Sequence, residues 1–109
     1  MAERSETDIQ RVILAALRAT GIPSWRTNAT ARSYRMASNP GFPDIVGIVP
    51  DTGQFLAIEV KRPGGRQSPE QLEFQATVER SNGLYIVAES LDDVIPIIHS
   101  VNTMGQPEG

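Results

Sequence analysis

Apolar residues recur three and four apart at Ile9, Val12, Ile13, Ala16 and Leu17, the spacing of one helix face. Ser5 precedes this run and Asp8 follows three residues later, a capping-box-like start. Gly21 and Pro23 stop the helix. Trp25 to Met36 interleaves arginines with small and aromatic residues and predicts one or two exposed strands, followed by a Ser, Asn, Pro and Gly loop over 37–43. From Asp44 the period shortens. Residues 44–49 and 54–61 read as two Ile/Val-rich strands, and Pro50-Asp51-Thr52-Gly53 between them is a four-residue hairpin loop. Arg62 to Arg66 is a flexible basic loop. Ser68-Pro69-Glu70-Gln71 opens a second helix, with an N-cap Ser and Pro at the first helical position; it runs to about Ser81, where Asn82-Gly83 ends it. Leu84 to Ala88 is a short apolar run and predicts a buried strand. Ser90 with Asp93 starts a last short helix through Val94, Ile95, Ile97 and Ile98, its regularity limited by Pro96. The order α-β-β-β-α-β-α predicts an α/β domain, a central mixed β-sheet flanked by helices. It spans residues 1–101, with 102–109 as a disordered tail.

A chain of 109 residues fits one small domain. It has no cysteine and one histidine, His99, so a thiolate or multi-His metal site is excluded. A metal here would be held by oxygen, which favours magnesium or manganese over zinc. No run of about 18 apolar residues is present, so no membrane span is expected. The N-terminus is unlike a signal peptide, which predicts a cytoplasmic protein, or one in the host cytoplasm if the gene is a phage's. The net charge is −3, but it is unevenly spread. No acid occurs between Asp8 and Asp44, an interval that carries Arg11, Arg18, Arg26, Arg32 and Arg35. Lys61, Arg62 and Arg66 cluster later. Such a basic face suits a phosphate-backbone partner; a set of solvated arginines reads equally well from the sequence.

Chemistry concentrates in Gly41-Phe42-Pro43-Asp44 and Ile58-Glu59-Val60-Lys61. Strand side chains alternate, so Glu59 and Lys61 share one face while Ile58 and Val60 share the other. If Val49 faces Gln54 across the turn, Asp44 faces Glu59. Like charges directly opposite each other destabilise a sheet, and a divalent cation held by both offsets that repulsion. The bland alternatives are a strand-capping Asp44 and an exposed Glu59–Lys61 ion pair; Phe55 and Ala57 on the same face argue for partial burial instead.

These residues resemble the PD-(D/E)XK nuclease superfamily, and more narrowly the stand-alone VRR-NUC domains of phages, bacteria and plasmids. The matching pieces are Ser5-Glu6, Arg26-Thr27-Asn28-Ala29, Gly41 to Gly47, Gly53 to Lys61 and Ser68 to Gln71, in the expected order. The resemblance implies a restriction-endonuclease-like core and metal-dependent hydrolysis of DNA phosphodiester bonds. It implies that Asp44 and Glu59 bind Mg2+, with Mn2+ able to substitute, helped by the backbone carbonyl of Val60. Lys61 would position or deprotonate the attacking water. Glu6 matches the family's helix-one acid, which completes the site or touches a second metal, and Gln71 matches the polar residue opening the next helix. Small stand-alone members tend to be homodimers acting on branched DNA such as four-way junctions, in replication, recombination or repair.

Several positions keep two readings. Ser68 and Gln71 form a capping box, so Gln71 serves either the helix or the site. Glu6 looks inward from the edge of the apolar face or is an ordinary first-turn acid, with Asp8 its neighbour and rival. Arg26 and Asn28 share a face if their segment is a strand; with Arg32, Arg35, Arg62 and Arg66 they are the candidate DNA contacts. Trp25 and Tyr34 can stack on an unpaired base, although core packing is the stronger expectation for Trp25. The alternative to an enzyme is a non-catalytic nucleic-acid-binding module that retains the fold.

Overall fold

The computed structural model describes residues 5–27 and 39–104. Helix α1 (Glu6–Ala19) begins at Ser5, whose hydroxyl accepts a hydrogen bond from the Asp8 N–H at 3.1 Å. It ends in a six-residue closure: Gly21 N–H donates to Arg18 O and Ile22 N–H to Leu17 O, with Gly21 at φ +83°. Strands β1 (Ser24–Arg26), β2 (Ile45–Ile48) and β3 (Phe55–Val60) follow, then α2 (Pro69–Arg80), β4 (Leu84–Ala88), a 3-10 turn (Leu91–Val94) and α3 (Ile95–Met104). The strands form one sheet in the order β1-β2-β3-β4, antiparallel across the first two pairs and parallel across β3–β4. This is the mixed sheet flanked by helices that the element order predicts.

The sheet's two faces differ. Ile45, Leu56, Ile58, Val60 and Ala88 pack with Ile9, Ile13 and Leu17 of α1, with Val94 of the 3-10 turn and with Val101 of α3, forming the buried core. The opposite face carries Trp25, Val46, Ala57, Glu59 and Tyr85, and α2 lies over its β3–β4 half. Residues Leu56 to Val60 are all buried, so the central strand is covered on both sides. That includes Glu59.

Four expectations are corrected. Trp25 is 50% exposed and is not part of the core, because α2 does not reach over β1. β4 is a half-buried edge strand, with only Ala88 fully buried and Val87 exposed. The Ser90 side chain makes no capping bond; the Glu89 N–H instead donates to Asp93 Oδ2 at 2.8 Å, and a 3-10 turn precedes the helix. Pro96 is tolerated as the second residue of α3, and this helix runs to Met104, three residues past the expected limit of the folded part. Of the segment expected to be strand over 25–36, only β1 falls within the described residues; Asn28, Arg32, Tyr34 and Arg35 lie outside them.

Candidate active site

The hairpin positions the acids. Val49 N–H donates to Gln54 O at 2.9 Å across the 50–53 turn, and the ladder pairs Ile45 with Ile58 and Val46 with Ala57. Asp44, one residue before β2, therefore stands opposite Glu59, as the turn register predicts. Several contacts fix Asp44. Its Oδ2 accepts from the Val60 N–H at 2.9 Å. Its own carbonyl accepts from the Thr27 N–H at 3.0 Å, and the buried Thr27 hydroxyl donates to Pro43 O at 2.7 Å. Pro43 is fully buried. Gly41, at φ +80°, lies so close to the Glu70 carbonyl of α2 that a Cβ there would collide with it. Phe42 packs edge-on against Phe74 of α2, with ring centroids 5.3 Å apart. The Pro-Asp turn is thus clamped between β1 and α2.

Glu59 is 3% exposed. Its Oε1 accepts from Gln71 Nε2 at 2.7 Å and lies 3.7 Å from Lys61 Nζ. Its Oε2 is buried with no hydrogen-bond partner. Burial raises the Glu59 carboxyl to about 8, the Asp44 charge adds to that rise, and Lys61 opposes it. Asp44 is raised too, chiefly by burial, against the lowering effects of the Val60 N–H and of the hydrogen bond it shares with the Glu59 carboxyl when that group keeps its proton. The Glu6 charge reaches Asp44 and pushes the same way.

Gln71 makes the hydrogen bonds that both of its readings require. Its Oε1 accepts from the Ser68 N–H at 2.8 Å, closing the capping box, while its Nε2 donates to Glu59. Glu6 is more distant: with Ser5, Thr7 and Arg62 it lines a shallow depression of about 280 Å³ at the start of α1. Among the described residues, no group of three or more His, Cys, Asp or Glu side chains is spaced to hold a metal ion. The acid pair stands without a third carboxylate. Arg26 lies on the α1 side, where its Nε donates to Gln10 Oε1 at 3.0 Å. Arg62 and Arg66 are exposed on the loop after β3.

The structure also brings in residues that the sequence did not single out. Tyr85 of β4 pairs with Ala57 on the carboxylate face, and burial followed by the Glu59 charge raises its phenol to about 12. Gln67 donates to Gln75 Oε1 at 3.0 Å and reaches the Tyr85 hydroxyl at 3.5 Å. Alternation along Leu84–Ala88 would have identified Tyr85 had the β3–β4 register been known.

The unpartnered buried Oε2 is the test of whether a cation fits. Once Glu59 is ionised, a buried carboxylate oxygen without a donor is costly, and a hard cation satisfies it. Magnesium keeps several waters and commonly uses one or two carboxylates, which matches a pair without a third acid.

Comparison with known proteins bears on the fold and the family. A solved structure described as a VRR-NUC domain protein aligns with a TM-score of 0.68 over 99% of this chain and 96% of its own, at 22% identity, and thus shares the fold. Among curated proteins none matches. The profile of the VRR-NUC domain covers residues 1–92, and the chain therefore belongs to the VRR-NUC family, a family of nuclease-type domains.

Proposed function

We propose that this domain is a divalent-metal-dependent endonuclease that hydrolyses DNA phosphodiester bonds, selects branched DNA such as four-way junctions and works as a homodimer. The observation that carries the hydrolytic reading is the buried Asp44–Glu59 pair, with one carboxylate oxygen lacking a donor and Lys61 beside it. Asp44, Glu59 and the Val60 carbonyl would hold Mg2+ or Mn2+, with Glu6 available to a second ion. The bound ion supplies charge neutralisation at the phosphate and a more acidic water.

The chain's own groups do the rest. The Val60 N–H fixes one Asp44 oxygen, and Gln71 fixes one Glu59 oxygen, so each carboxylate presents its other oxygen in a set direction. Lys61, 16% exposed, brings a cation to the edge of the pair, where it orients the attacking water and balances charge on the phosphate. Arg62 and Arg66, with Asn28, Arg32 and Arg35, are the proposed backbone contacts; Arg26, a further candidate from the sequence, is tied to Gln10 on the α1 side, away from the acid pair. A C2 dimer would match the approximate symmetry of a junction and widen the basic face. Family company suggests a setting in replication, recombination or repair. No helix among the described residues is long and apolar enough to cross a membrane.

Cleavage of labelled junction, flap, duplex and single-stranded DNA, with magnesium, manganese or EDTA, tests the reading. Metal-dependent cutting lost in Asp44→Ala and Lys61→Ala is the expected result. Binding without cutting, indifferent to metal and to both substitutions, would replace the enzyme by a binding module.

A further inference from the structure

Trp25 is the largest exposed side chain whose position has no packing explanation. It pairs with Val46 on β2, which pairs with Ala57 on β3, so its side chain lies on the same sheet face as Glu59. Thr27 lies opposite Asp44, and Trp25 is two residues earlier. Diagonal neighbours on adjacent strands are separated by roughly 7–8 Å. The indole therefore stands one strand across and one pleat along from Asp44. Trp25 is 50% exposed. Ile48 and Phe55, paired with each other, continue the same face away from the carboxylates at 46% and 40% exposure.

We propose that Trp25 stacks on an unstacked nucleobase next to the phosphate held at Asp44 and Glu59, and so selects DNA that presents an unpaired base over continuous duplex. One observation names this occupant. The patch is continuous with the carboxylate site, which is where a phosphate backbone would run. An indole face accepts any base, so the contact discriminates by structure and not by sequence. Val46, Ile48 and Phe55 supply an apolar floor beside it. The ligand class rests on the nuclease reading above; the measurement does not.

The chain holds a single tryptophan, so its emission reports Trp25 alone. The full chain in EDTA is titrated with a gapped duplex, a single-stranded flap and a continuous duplex, while labelled-DNA anisotropy follows binding. The expected result is saturable quenching that tracks binding to gapped and flap DNA and is several-fold smaller with continuous duplex. Trp25→Phe keeps the preference. Trp25→Ala weakens gapped-DNA binding roughly 5- to 100-fold and abolishes the preference, with an unchanged circular dichroism spectrum.

Binding without quenching overturns the proposal, as does gapped-DNA affinity unchanged in Trp25→Ala. An emission maximum that shifts with protein concentration in the absence of DNA also overturns it, and assigns the patch to a second copy of the chain. Magnesium-dependent cutting of the same DNAs is scored separately. Quenching without cutting keeps the stacking and removes the nuclease; cutting without quenching does the reverse.

Discussion

A carboxyl group as buried as Glu59 holds its proton far above the ordinary range, and the direction has a measurable consequence. The unfolded chain releases this proton near 4.5 and the folded chain near 8. Between those values the folded state binds more protons, so the stability of the metal-free protein falls as pH rises through that window. Asp44 moves in the same direction. Thermal melts in EDTA should show Tm highest near pH 5 and declining towards pH 8. Glu59→Gln keeps the shape without the charge and should flatten most of that decline while abolishing cutting; a slope as steep as in the wild type would show that Glu59 is ionised at no cost. Gln71 offers a second residue-level separation. Ser68→Ala removes the cap alone and should lower stability by ~1 kcal/mol with cutting retained. Gln71→Ala keeps the Ser68 cap but leaves the Ser68 N–H without its acceptor and both Glu59 oxygens without a donor, costing ~1–3 kcal/mol more and reducing cutting. Equal losses in the two variants, read by urea unfolding, would mean that Gln71 serves only the helix.

At the scale of elements, the site depends on a turn held from two sides. Gly41 has a positive φ and abuts the Glu70 carbonyl, so Gly41→Ala must distort the turn or push α2 away. A loss of ~1–3 kcal/mol and a fall in cutting are expected together. Thr27→Val should leave a buried Pro43 carbonyl without its donor, for ~1–3 kcal/mol. A Gly41→Ala protein with wild-type urea midpoint would show that the turn is not clamped. These elements differ in how well the sequence announced them. The hairpin was legible because turn chemistry at Pro50 to Gly53 sets its register, and the register alone put Asp44 opposite Glu59. The helices were legible because Ser5, Gly21, Ser68 and Asn82 mark their ends. The placement of α2 was not. Which half of the sheet a helix covers depends on packing between residues distant in sequence, such as Phe42 with Phe74. Hence Trp25 read as core and proved exposed, β4 read as buried and proved an edge, and Tyr85 went unnoticed. Gln71 escaped a single reading because one amide has an acceptor and a donor, and pattern cannot show that both are used.

For the whole molecule, the proposed function sets a difficulty: a chain of net charge −3 would approach a polyanion with two acids at the point of contact. Unit charges about 4 Å apart interact by ~1–4 kcal/mol between bulk water and a protein surface, and within a Debye length of about 10 Å salt does not remove this. Ionised Asp44 and Glu59 therefore oppose a phosphate until a cation or a proton neutralises them. DNA affinity at pH 8 and fixed ionic strength should rise about tenfold or more when EDTA is replaced by calcium, a divalent ion expected to bind without supporting rapid cutting. The double variant Asp44→Asn with Glu59→Gln should bind in EDTA nearly as tightly as the wild type does with calcium, and should gain little from it. Lowering the pH to 6 in EDTA should move the wild type part of the way, because the raised Glu59 then keeps its proton. All three shifts are readable by anisotropy of labelled junction DNA. Affinity that ignores calcium, pH and the double substitution alike would place the phosphate away from the acid pair, and the basic face would then bind DNA without reference to the candidate site.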